Sequence, residues 1–367
     1  MIFERLSPFL KLPALQSLTR DALLRMDPEI AHGATVSALR LGLAPQQDYA
    51  DPPELRTSLI DLDLANPVGM AAGFDKNAEV PVPLARMGFG MVEVGTLTPR
   101  PQVGNPKPRL FRVPEAEGVI NRMGFNNEGH EAAFARLKGL HVPGVLGVNI
   151  GANKDSEDFV ADYVAGVLRF AEVADYLTVN ISSPNTPGLR NLQGDEALRR
   201  LLGEVLRARG KAKVRVPVLL KLAPDLDETA LDSIAAVIAE TDLDGLIISN
   251  TTVSRAPVEG LENATQTGGL SGKPLFPLAT QRLAQMRQRV GALPIIGVGG
   301  IHSAETALQK FEAGANAIQL YSALVFGGLD LLERIKRGLV AAVRADGQAN
   351  ISALVGRRTE AWARGDA

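Results

Sequence analysis

Residues 144–182, GVLGVNIGANKDSEDFVADYVAGVLRFAEVADYLTVNIS, establish the fold class. Two short and almost wholly apolar runs, Gly144–Ile150 and Tyr176–Ser182, flank a stretch of helical length with one apolar face, Asp158–Ala174. Near-continuous apolar runs are typical of strands that are buried on both faces of a parallel sheet. The stretch therefore predicts a strand, a crossover helix and a second, parallel strand.

The same alternation continues on both sides of this stretch. The further apolar runs are Pro67–Ala72, Met91–Thr96, Val216–Ala223, Gly245–Thr251, Pro294–Gly300 and Ala317–Ser322. Amphipathic segments lie between most of them, among them Glu196–Ala208, Glu228–Glu240, Leu278–Val290 and Ser303–Ala313. Eight such units predict an α/β fold of the closed (β/α)8 type, the TIM barrel. A doubly wound open sheet is the alternative, and it is disfavoured because no GxGxxG motif follows the first strand.

Three segments are expected along the chain: a helical extension over 1–45, the barrel over 46–345 and a polar tail over 346–367. Two barrel connections are too long for plain crossovers. We expect a hairpin excursion in Pro99–Glu128, whereas Ser254–Pro274 is a glycine-rich loop after the sixth strand. Long loops at the carboxyl side of a barrel usually serve or cover the active site.

The extension is predicted to contain two helices. Apolar residues recur at helical spacing from Leu15 to Met26, and Asp27-Pro28 is typical of an N-cap followed by the first helical position. In the second helix one face carries Ile30, Ala34, Ala38 and Leu41. The unit could cap the bottom of the barrel, or it could rest on a membrane surface. In the membrane alternative the inserted residues would be Ile2, Phe3, Leu6, Phe9 and Leu10.

The composition limits the classes of function. Hydrophobic residues make up 46% and charged residues 22% of the 367 residues, which allows a large core and disfavours disorder. A net charge of -2 gives no overall basic field, so nucleic acid is not expected as a partner. The chain has no cysteine and its four histidines lack metal-site spacing, so neither thiolate chemistry nor a metal is expected. No apolar run is long enough to span a membrane.

Polar residues stand where the predicted strands end, and in a barrel these ends converge on one site. Several of them are asparagines, which are poor strand residues and are costly to bury without partners. The strand-end residues are Lys76, Thr96, Asn149, Asn180, Ser183, Asn185, Lys221, Ser249, Asn250 and Thr251. A ligand rich in N–H and C=O groups, such as a pyrimidine or a flavin, would satisfy them, although asparagine at a single end could simply cap a loop.

The last two predicted strands end in Gly299-Gly300 and Tyr321-Ser322. In barrels of this type these loops commonly hold a phosphate group on free backbone N–H groups. No carboxylate pair, Ser-His-Asp set or metal cluster occurs at the strand ends, which disfavours hydrolases. The pattern instead indicates a bound cofactor that performs the difficult chemistry.

Five motifs, in this order, resemble the dihydroorotate dehydrogenase family in its membrane-associated, quinone-using class. They are AAGFDKN at 71–77, INRMGFNN at 120–127, NISSPNTPGLR at 180–190, QTGGLSGKPL at 266–275 and IIGVGGI at 295–301. MDPEIAH at 26–32 also resembles the start of the second N-terminal helix in that class. The resemblance implies oxidation of dihydroorotate to orotate in pyrimidine synthesis, with one FMN per chain as the hydride acceptor.

The resemblance also implies individual roles. Ser183 would be the base, where the soluble classes use a cysteine. Substrate would be held by Lys76, Asn121, Arg122, Met123, Gly124, Phe125, Asn180, Asn185, Asn250 and Thr251. FMN would be held by Ala72, Gly73, Phe74, Asp75, Lys76, Thr96, Asn149, Asn180, Lys221, Ser249, Gly272, Gly300, Tyr321 and Ser322. At Ser249 the family usually has threonine, so a hydroxyl is retained. An unassisted serine is a weak base, and activation by a water with Thr186 or Thr96 is expected.

In this class the final electron acceptor is a membrane quinone. The resemblance implies that the two N-terminal helices form an apolar tunnel to the flavin, with Arg112 and Tyr321 at its inner end. It implies a monomer attached peripherally to the cytoplasmic side of the inner membrane. Two other hypotheses remain open: an FMN barrel enzyme for a different dihydropyrimidine, and a non-catalytic phosphate-binding barrel that serves as a membrane scaffold.

Overall fold

The barrel strands form in the order that the sequence predicts. The structure, a computed structural model, describes residues 13–366, with side chains from residue 17 onward. Its strands are β1 (Thr57–Leu59), β2 (Leu62–Leu64), β3 (Val68–Met70), β4 (Met91–Leu97), β5 (Leu110–Val113), β6 (Gly118–Asn121), β7 (Val145–Ile150), β8 (Tyr176–Asn180), β9 (Val218–Leu222), β10 (Gly245–Ile248), β11 (Gly269–Gly272), β12 (Ile295–Val298) and β13 (Ala317–Leu320).

Eight of these strands close into a parallel barrel in the order β3-β4-β7-β8-β9-β10-β12-β13. The barrel closes where β13 pairs with β3, with Ile318 opposite Val68 and Leu320 opposite Met70. Their residues are almost all buried, as expected for strands that are covered on both faces. The TIM-barrel prediction is confirmed, and the open-sheet alternative is wrong because no edge strand remains in the barrel.

Helices follow the barrel strands and cover the outside of the barrel. The helices are α1 (Pro13–Arg25), α2 (Pro28–Arg40), α3 (Pro81–Arg86), α4 (Gly129–Leu137), α5 (Phe159–Phe170), α6 (Asp195–Lys211), α7 (Glu228–Ala239), α8 (Phe276–Val290), α9 (Ala304–Glu312), α10 (Ala323–Gly327), α11 (Leu331–Ala345) and α12 (Thr359–Arg364). Several begin where a side chain accepts from the first turn. Asp158, Asp227 and Ser303 are such N-caps, and Ser303 forms a capping box with Thr306.

The amino-terminal end of the barrel is closed by the hairpin β1–β2. Its Leu59 and Leu64 are buried and belong to one apolar cluster with inward-facing residues of the barrel, among them Met91 and Leu219. Side chains therefore fill this end of the barrel, as in other barrels of this size. Within residues 13–366 this packing leaves the carboxyl end open to a ligand.

The two long connections meet in a second small sheet. Strands β5 and β6 form the hairpin predicted within Pro99–Glu128. Strand β11, from the glycine-rich loop, pairs antiparallel with β6, with Gly269 opposite Asn121. Both excursions thus form one three-stranded sheet beside the strand ends, and this sheet supplies one wall of the site described below.

The two predicted helices of the extension are present as α1 and α2. Asp27 caps α2 by accepting from the backbone N–H groups of Glu29 and Ile30 at 3.0 Å. Glu29 also accepts at 2.7 Å from Arg109, a buried guanidinium in the segment just before β5. Since α1 and α2 line the same cavity as the strand ends, the extension lies at the carboxyl end of the barrel. The alternative that it caps the bottom is wrong.

The apolar face predicted for α2 turns only partly towards the protein, where Ala34 and Ala38 line the cavity described below. Ala31, Val36 and Leu39 are buried, whereas Ile30 and Leu41 are 62% and 58% exposed. No helix within residues 13–366 is long and apolar enough to cross a bilayer. The predicted insertion residues lie outside the described residues: Ile2, Phe3, Leu6, Phe9 and Leu10.

The segment after α11, which the sequence predicts only as a polar tail, is folded onto the barrel. It contains a short 3-10 helix over Ile351–Leu354 and the helix α12. Trp362 of α12 is buried with its ring edge-on to Phe276, at 5.8 Å between ring centroids. The tail therefore supports α8 from outside, directly behind the loop that follows β12.

Candidate functional site

A cavity of about 590 Å³ opens at the carboxyl end of the barrel and extends between α1 and α2. The ends of most barrel strands reach it, as the sequence predicts. Predicted site residues that line it are Ala72, Gly73, Phe74, Lys76, Thr96, Arg112, Asn121, Met123, Gly124, Phe125, Asn180, Ser183, Asn185, Lys221, Ser249, Asn250, Thr251, Gly272, Gly300, Tyr321 and Ser322. Residues from distant parts of the sequence are thus brought to one enclosed space.

Amides and hydroxyls form the floor of this cavity. Thr96 donates to Asn149 Oδ1 at 2.6 Å, and Asn180 Nδ2 donates to Thr96 at 3.0 Å. Ser182 Oγ donates to Asn180 Oδ1 at 2.7 Å, and Asn250 Nδ2 donates to Ser182 at 2.9 Å. Buried amides without partners would destabilise the fold, and here each is held by its neighbours. The floor is therefore held together by its own hydrogen bonds.

Ser183 stands in the cavity wall and is 5% exposed. Its Oγ accepts from the backbone N–H of Asn185 at 3.2 Å, and Asn185 Nδ2 donates to the Asn121 carbonyl at 3.2 Å. Shortly after Ser183 in the chain, the Thr186 hydroxyl is buried without a hydrogen-bond partner among the described residues. Buried polar atoms of this kind are commonly paired with an ordered water.

Two lysines give the cavity positive charge. Burial lowers the pKa of Lys76 to about 8, and the Lys76 ammonium lies 3.3 Å from His32 Nε2. Burial also lowers the pKa of Lys221, against the opposing charge of Glu93. Lys221 is only 5% exposed, and its ammonium donates no hydrogen bond to any residue in 13–366. Two poorly solvated cations that face one cavity favour an anionic ligand.

The loop after β12 packs closely against the start of α8 and lines the cavity. Gly299 and Gly300 have φ angles of +103° and +77°, and a Cβ on Gly300 would lie 2.4 Å from the backbone of Phe276. The N–H groups of both glycines donate to no backbone acceptor in the described part of the chain. Nearby, the hydroxyls of Ser271 and Ser322 lie 2.8 Å apart. These donors fit a phosphate group.

Three predicted site residues do not line the cavity. The Arg122 guanidinium instead donates to Gln266 and to the Pro108 carbonyl, and it stacks over Phe111 at 4.5 Å. The buried carboxylate of Asp75 accepts from two backbone N–H groups, those of Glu79 and Val80. Asn149 lies directly beneath the floor, where Thr96 and Asn180 cover it. Arg122 and Asp75 thus shape the loops around the site with their side chains.

The cavity mouth lies at the junction of the extension and the barrel. Arg112 donates to the carbonyls of Leu23, Leu24 and Met26 and so closes the carboxyl end of α1. Tyr321 OH lies 3.3 Å from His32 Nδ1. Burial, together with the charge of Lys76, lowers the pKa of His32 to about 3, so this ring is neutral.

Sequence reasoning assigned no role to His32 or to Glu93. His32 is the last residue of the MDPEIAH motif, so the motif resemblance could have indicated a role for it. Glu93 is a fully buried carboxylate in the strand run MVEVGTL, and an acidic residue inside an otherwise apolar strand is itself a signal of a buried polar role. Its partners, Tyr176 and Gln319, lie on strands far apart in sequence and could not be paired from the pattern alone.

The family model for dihydroorotate dehydrogenase matches residues 54–343. The chain belongs to the dihydroorotate dehydrogenase family. Among curated relatives, the dihydroorotate dehydrogenase (quinone) of Rhizobium rhizogenes is 55% identical over 95% of this chain and 98% of its own length. The protein of the same name from Rhizobium johnstonii is 56% identical over 94% of this chain and 97% of its own length. The resemblance seen in the five motifs is confirmed.

Solved structures of the family agree with the fold. The dihydroorotate dehydrogenase of Eimeria tenella in complex with ferulenol has a TM-score of 0.88 and 38% identity, over 93% of this chain and 99% of that one. The ligand-free form of the Eimeria tenella protein has a TM-score of 0.87 and 39% identity, over 90% and 99%. Members of the dihydroorotate dehydrogenase family are flavoenzymes, which agrees with the amide floor, the two cations and the glycine loop.

Replacing Gly300 by alanine tests the glycine loop. The new Cβ would collide with Phe276 and would also require a φ angle that disfavours side chains, so we expect loss of bound flavin and a lower melting temperature. Gly347→Ala is the matched control, because Gly347 has a φ of +66° with nothing within 4 Å of its Cβ. The control should lose only about 1–2 kcal/mol of stability and keep its flavin. Equal flavin content in both variants would contradict the assignment of the loop.

Proposed function

We propose that this protein oxidises dihydroorotate to orotate in pyrimidine synthesis, with FMN as the hydride acceptor and a membrane quinone as the final electron acceptor. The observation that carries the proposal is the single cavity, in which Ser183, the amide floor and two lysines converge and which continues between α1 and α2. Family membership and the names of the curated relatives support it.

The residues present fit FMN. When bound, FMN would supply a two-electron acceptor for the hydride at C6 of the substrate and a source of those electrons for quinone. Its phosphate would lie on the loop of Gly299 and Gly300, beside the hydroxyl of Ser322. Lys221 presents a cation to the cavity where negative charge would develop on the ring, which is a preorganised form of stabilisation.

Substrate would lie where the carboxylate can reach Lys76. The ring N–H and C=O groups of a dihydropyrimidine would be matched by side-chain amides around it. Cavity-lining amides available for this are Asn121, Asn180, Asn185 and Asn250. The loop Asn121–Phe125 and Thr251 complete this wall, whereas Arg122 contributes its backbone only.

Ser183 would take the C5 proton. The proton passes to Ser183 Oγ, and the original hydroxyl proton of Ser183 leaves through a water. Two hydroxyls were candidates to hold that water. Thr96 already donates to Asn149 and accepts from Asn180, whereas the Thr186 hydroxyl has no partner among the described residues. Thr186 is therefore the better candidate, since a partner for its hydroxyl is still required.

Quinone would enter between α1 and α2 and meet Arg112, Tyr321 and His32 at the inner end. The apolar side chains on this path include Leu23, Leu24, Ala31, Ala38 and Leu39. Around it, apolar side chains of the extension remain exposed, among them Leu18, Met26, Ile30 and Leu41. An apolar surface at the mouth of a lipid-substrate channel is typical of peripheral membrane attachment. We further propose a monomer attached peripherally to the cytoplasmic side of the inner membrane, as the family resemblance implies.

Anaerobic mixing of the purified protein with dihydroorotate tests the reaction directly. The yellow flavin should bleach in the wild type, and Ser183→Ala should keep its flavin while reduction slows by roughly 10²–10⁴-fold, the usual contribution of a positioned base. Ser254→Ala, an exposed serine outside the cavity, is the control and should behave as the wild type. A colourless wild-type protein would favour the scaffold hypothesis, and unchanged reduction in Ser183→Ala would remove the base assignment.

The charge of Lys76 predicts how ligand binding depends on pH. Because the pKa of Lys76 is lowered to about 8, the ammonium form is lost as the pH rises through that value. The affinity for the orotate anion should be constant below about pH 7 and should then fall by up to about tenfold per pH unit above the pKa. Flavin absorbance during orotate titration measures it. Lys76→Met should bind weakly at every pH, and a wild-type profile that stays flat to about pH 10 would contradict the role of Lys76.

Charged substitutions at the exposed apolar residues test the membrane contact. The triple variant Leu18→Glu, Ile30→Glu and Leu41→Glu should lose co-sedimentation with anionic vesicles and slow turnover of long-chain quinone, while flavin reduction by dihydroorotate is preserved. The triple variant Leu140→Glu, Leu168→Glu and Val214→Glu is the matched control, because it adds the same charge at residues that are 42%, 50% and 52% exposed outside the extension. Vesicle binding by the extension variant equal to that of the control would contradict this surface.

A further inference from the structure

Beneath the amide floor lies a carboxylate to which none of the roles above applies. Glu93, on β4, is 0% exposed and points into the barrel. No cation within residues 13–366 forms a direct ion pair with it, although Lys221 interacts with it at longer range. Instead three neutral donors hold it. They are Asn149 Nδ2 at 2.7 Å, Tyr176 OH at 2.9 Å and Gln319 Nε2 at 2.8 Å.

Because all three groups donate to it, Glu93 acts only as a hydrogen-bond acceptor. Asn149 donates to Oε1, and the other two donate to Oε2. Burial and the adjacent Glu93 raise the pKa of Tyr176, so its hydroxyl keeps the proton that it donates. A buried carboxylate that accepts several hydrogen bonds fixes the direction of each donor group, since it offers no donor in return.

The orientation of the Asn149 amide at Glu93 determines the directions of the hydrogen bonds in the floor above it. Because Asn149 turns its Nδ2 towards Glu93, its Oδ1 faces up and accepts from both Thr96 and Asn180. At the far end a backbone N–H that can only donate, that of Ser182, points at Asn180 Oδ1 and requires the same orientation. The donors and acceptors of the floor are thus correctly paired from the Glu93 carboxylate to the loop after β8.

Gln319 is oriented in the same way. Its Nε2 donates to Glu93 and to Tyr176 OH, at 2.8 and 3.0 Å. Its Oε1 is consequently turned away from Glu93, and it is buried without a donor among residues 13–366 although Gln319 lines the cavity. A buried acceptor of this kind is commonly paired with an ordered water.

We propose that Glu93 is a positioning residue, which fixes the amide directions of Asn149 and Gln319 and thereby the donors and acceptors that the cavity floor offers to the flavin. The inference rests on the function proposed above. Glu93 would touch neither cofactor nor substrate, because Asn149 and Thr96 lie between it and the cavity.

Glu93→Gln is the decisive substitution, because it keeps the shape and replaces one acceptor oxygen by an NH2 group. Donors occupy both sides of the carboxylate, so whichever way the new amide points, it meets a donor and an amide must turn. We expect flavin affinity to fall roughly tenfold to a hundredfold, the range associated with one mispaired buried polar group. The dissociation constant is measured from the fluorescence of flavin released when the holoprotein is diluted.

A second substitution should restore the pattern. In the double variant Glu93→Gln/Asn149→Asp, the amide introduced at position 93 donates to the carboxylate introduced at position 149. That carboxylate still accepts from Thr96 and Asn180, and the remaining oxygen at position 93 accepts from Tyr176 and Gln319. Flavin affinity should return to within roughly threefold of the wild type. Tyr176→Phe is the control. It removes one donor to Glu93 and one acceptor of Gln319 Nε2 but leaves Glu93 in place to orient Asn149 and Gln319, so affinity should also stay within about threefold.

The outcomes separate the inference from the proposed function. Wild-type protein that binds no flavin contradicts the proposed function itself. Wild-type protein that binds flavin, together with Glu93→Gln of equal affinity, overturns the role of Glu93 alone. If Glu93→Gln weakens binding and the double variant does not recover, the charge at residue 93 matters rather than hydrogen-bond direction, and the inference is wrong. If Glu93→Gln does not fold, recovery of a folded, flavin-loaded double variant supports the inference, and failure of both contradicts it.

Discussion

Pairing of β13 with β3 underlies every other feature of the site. It turns eight strands into a closed barrel, so their carboxyl ends meet around one space rather than along an edge. The hairpin β1–β2 fills the opposite end with Leu59 and Leu64, which leaves one open side. The helices α1 and α2 and the small sheet of β5, β6 and β11 then enclose that side. Each polar strand end is thereby buried without being sealed off from a ligand.

That arrangement explains why the cavity contains buried lysines and buried amides. Lys76 and Lys221 are held in a poorly solvated space, which lowers the pKa of both lysines and favours an anionic ligand. The amides of Asn149 and Asn180 satisfy one another below, down to the carboxylate of Glu93. A flavin with a phosphate group would match both the positive charge of the lysines and the amide floor. The neutral His32 next to Lys76 links this polar region to the apolar path between α1 and α2.

Much of the site could be predicted because strand ends are readable in a sequence. Thr96, Asn180, Lys221 and Ser249 each lie at the end of a buried apolar run, and barrel topology makes such positions converge. The motif resemblance supplied Ser183 and the loop at Asn121. The incorrect predictions of site residues have one physical cause. Whether a side chain at the right position points inward depends on its partners, and Arg122 and Asp75 find those partners in neighbouring loops. The packing face of α2 was hidden for the same reason, because Ala31 and Leu39 face the barrel while Ile30 faces outward.

The barrel, the order of its elements, the family and most residues at the strand ends follow from the sequence alone, because local periodicity and contiguous motifs encode them. The folded chain was needed to show that the extension covers the carboxyl end, that His32 meets Tyr321 and that Glu93 lies under the floor with Tyr176 and Gln319. These contacts join residues separated by 83 to 289 positions. No local pattern encodes such pairings, since they arise only when barrel closure brings distant strands and helices together.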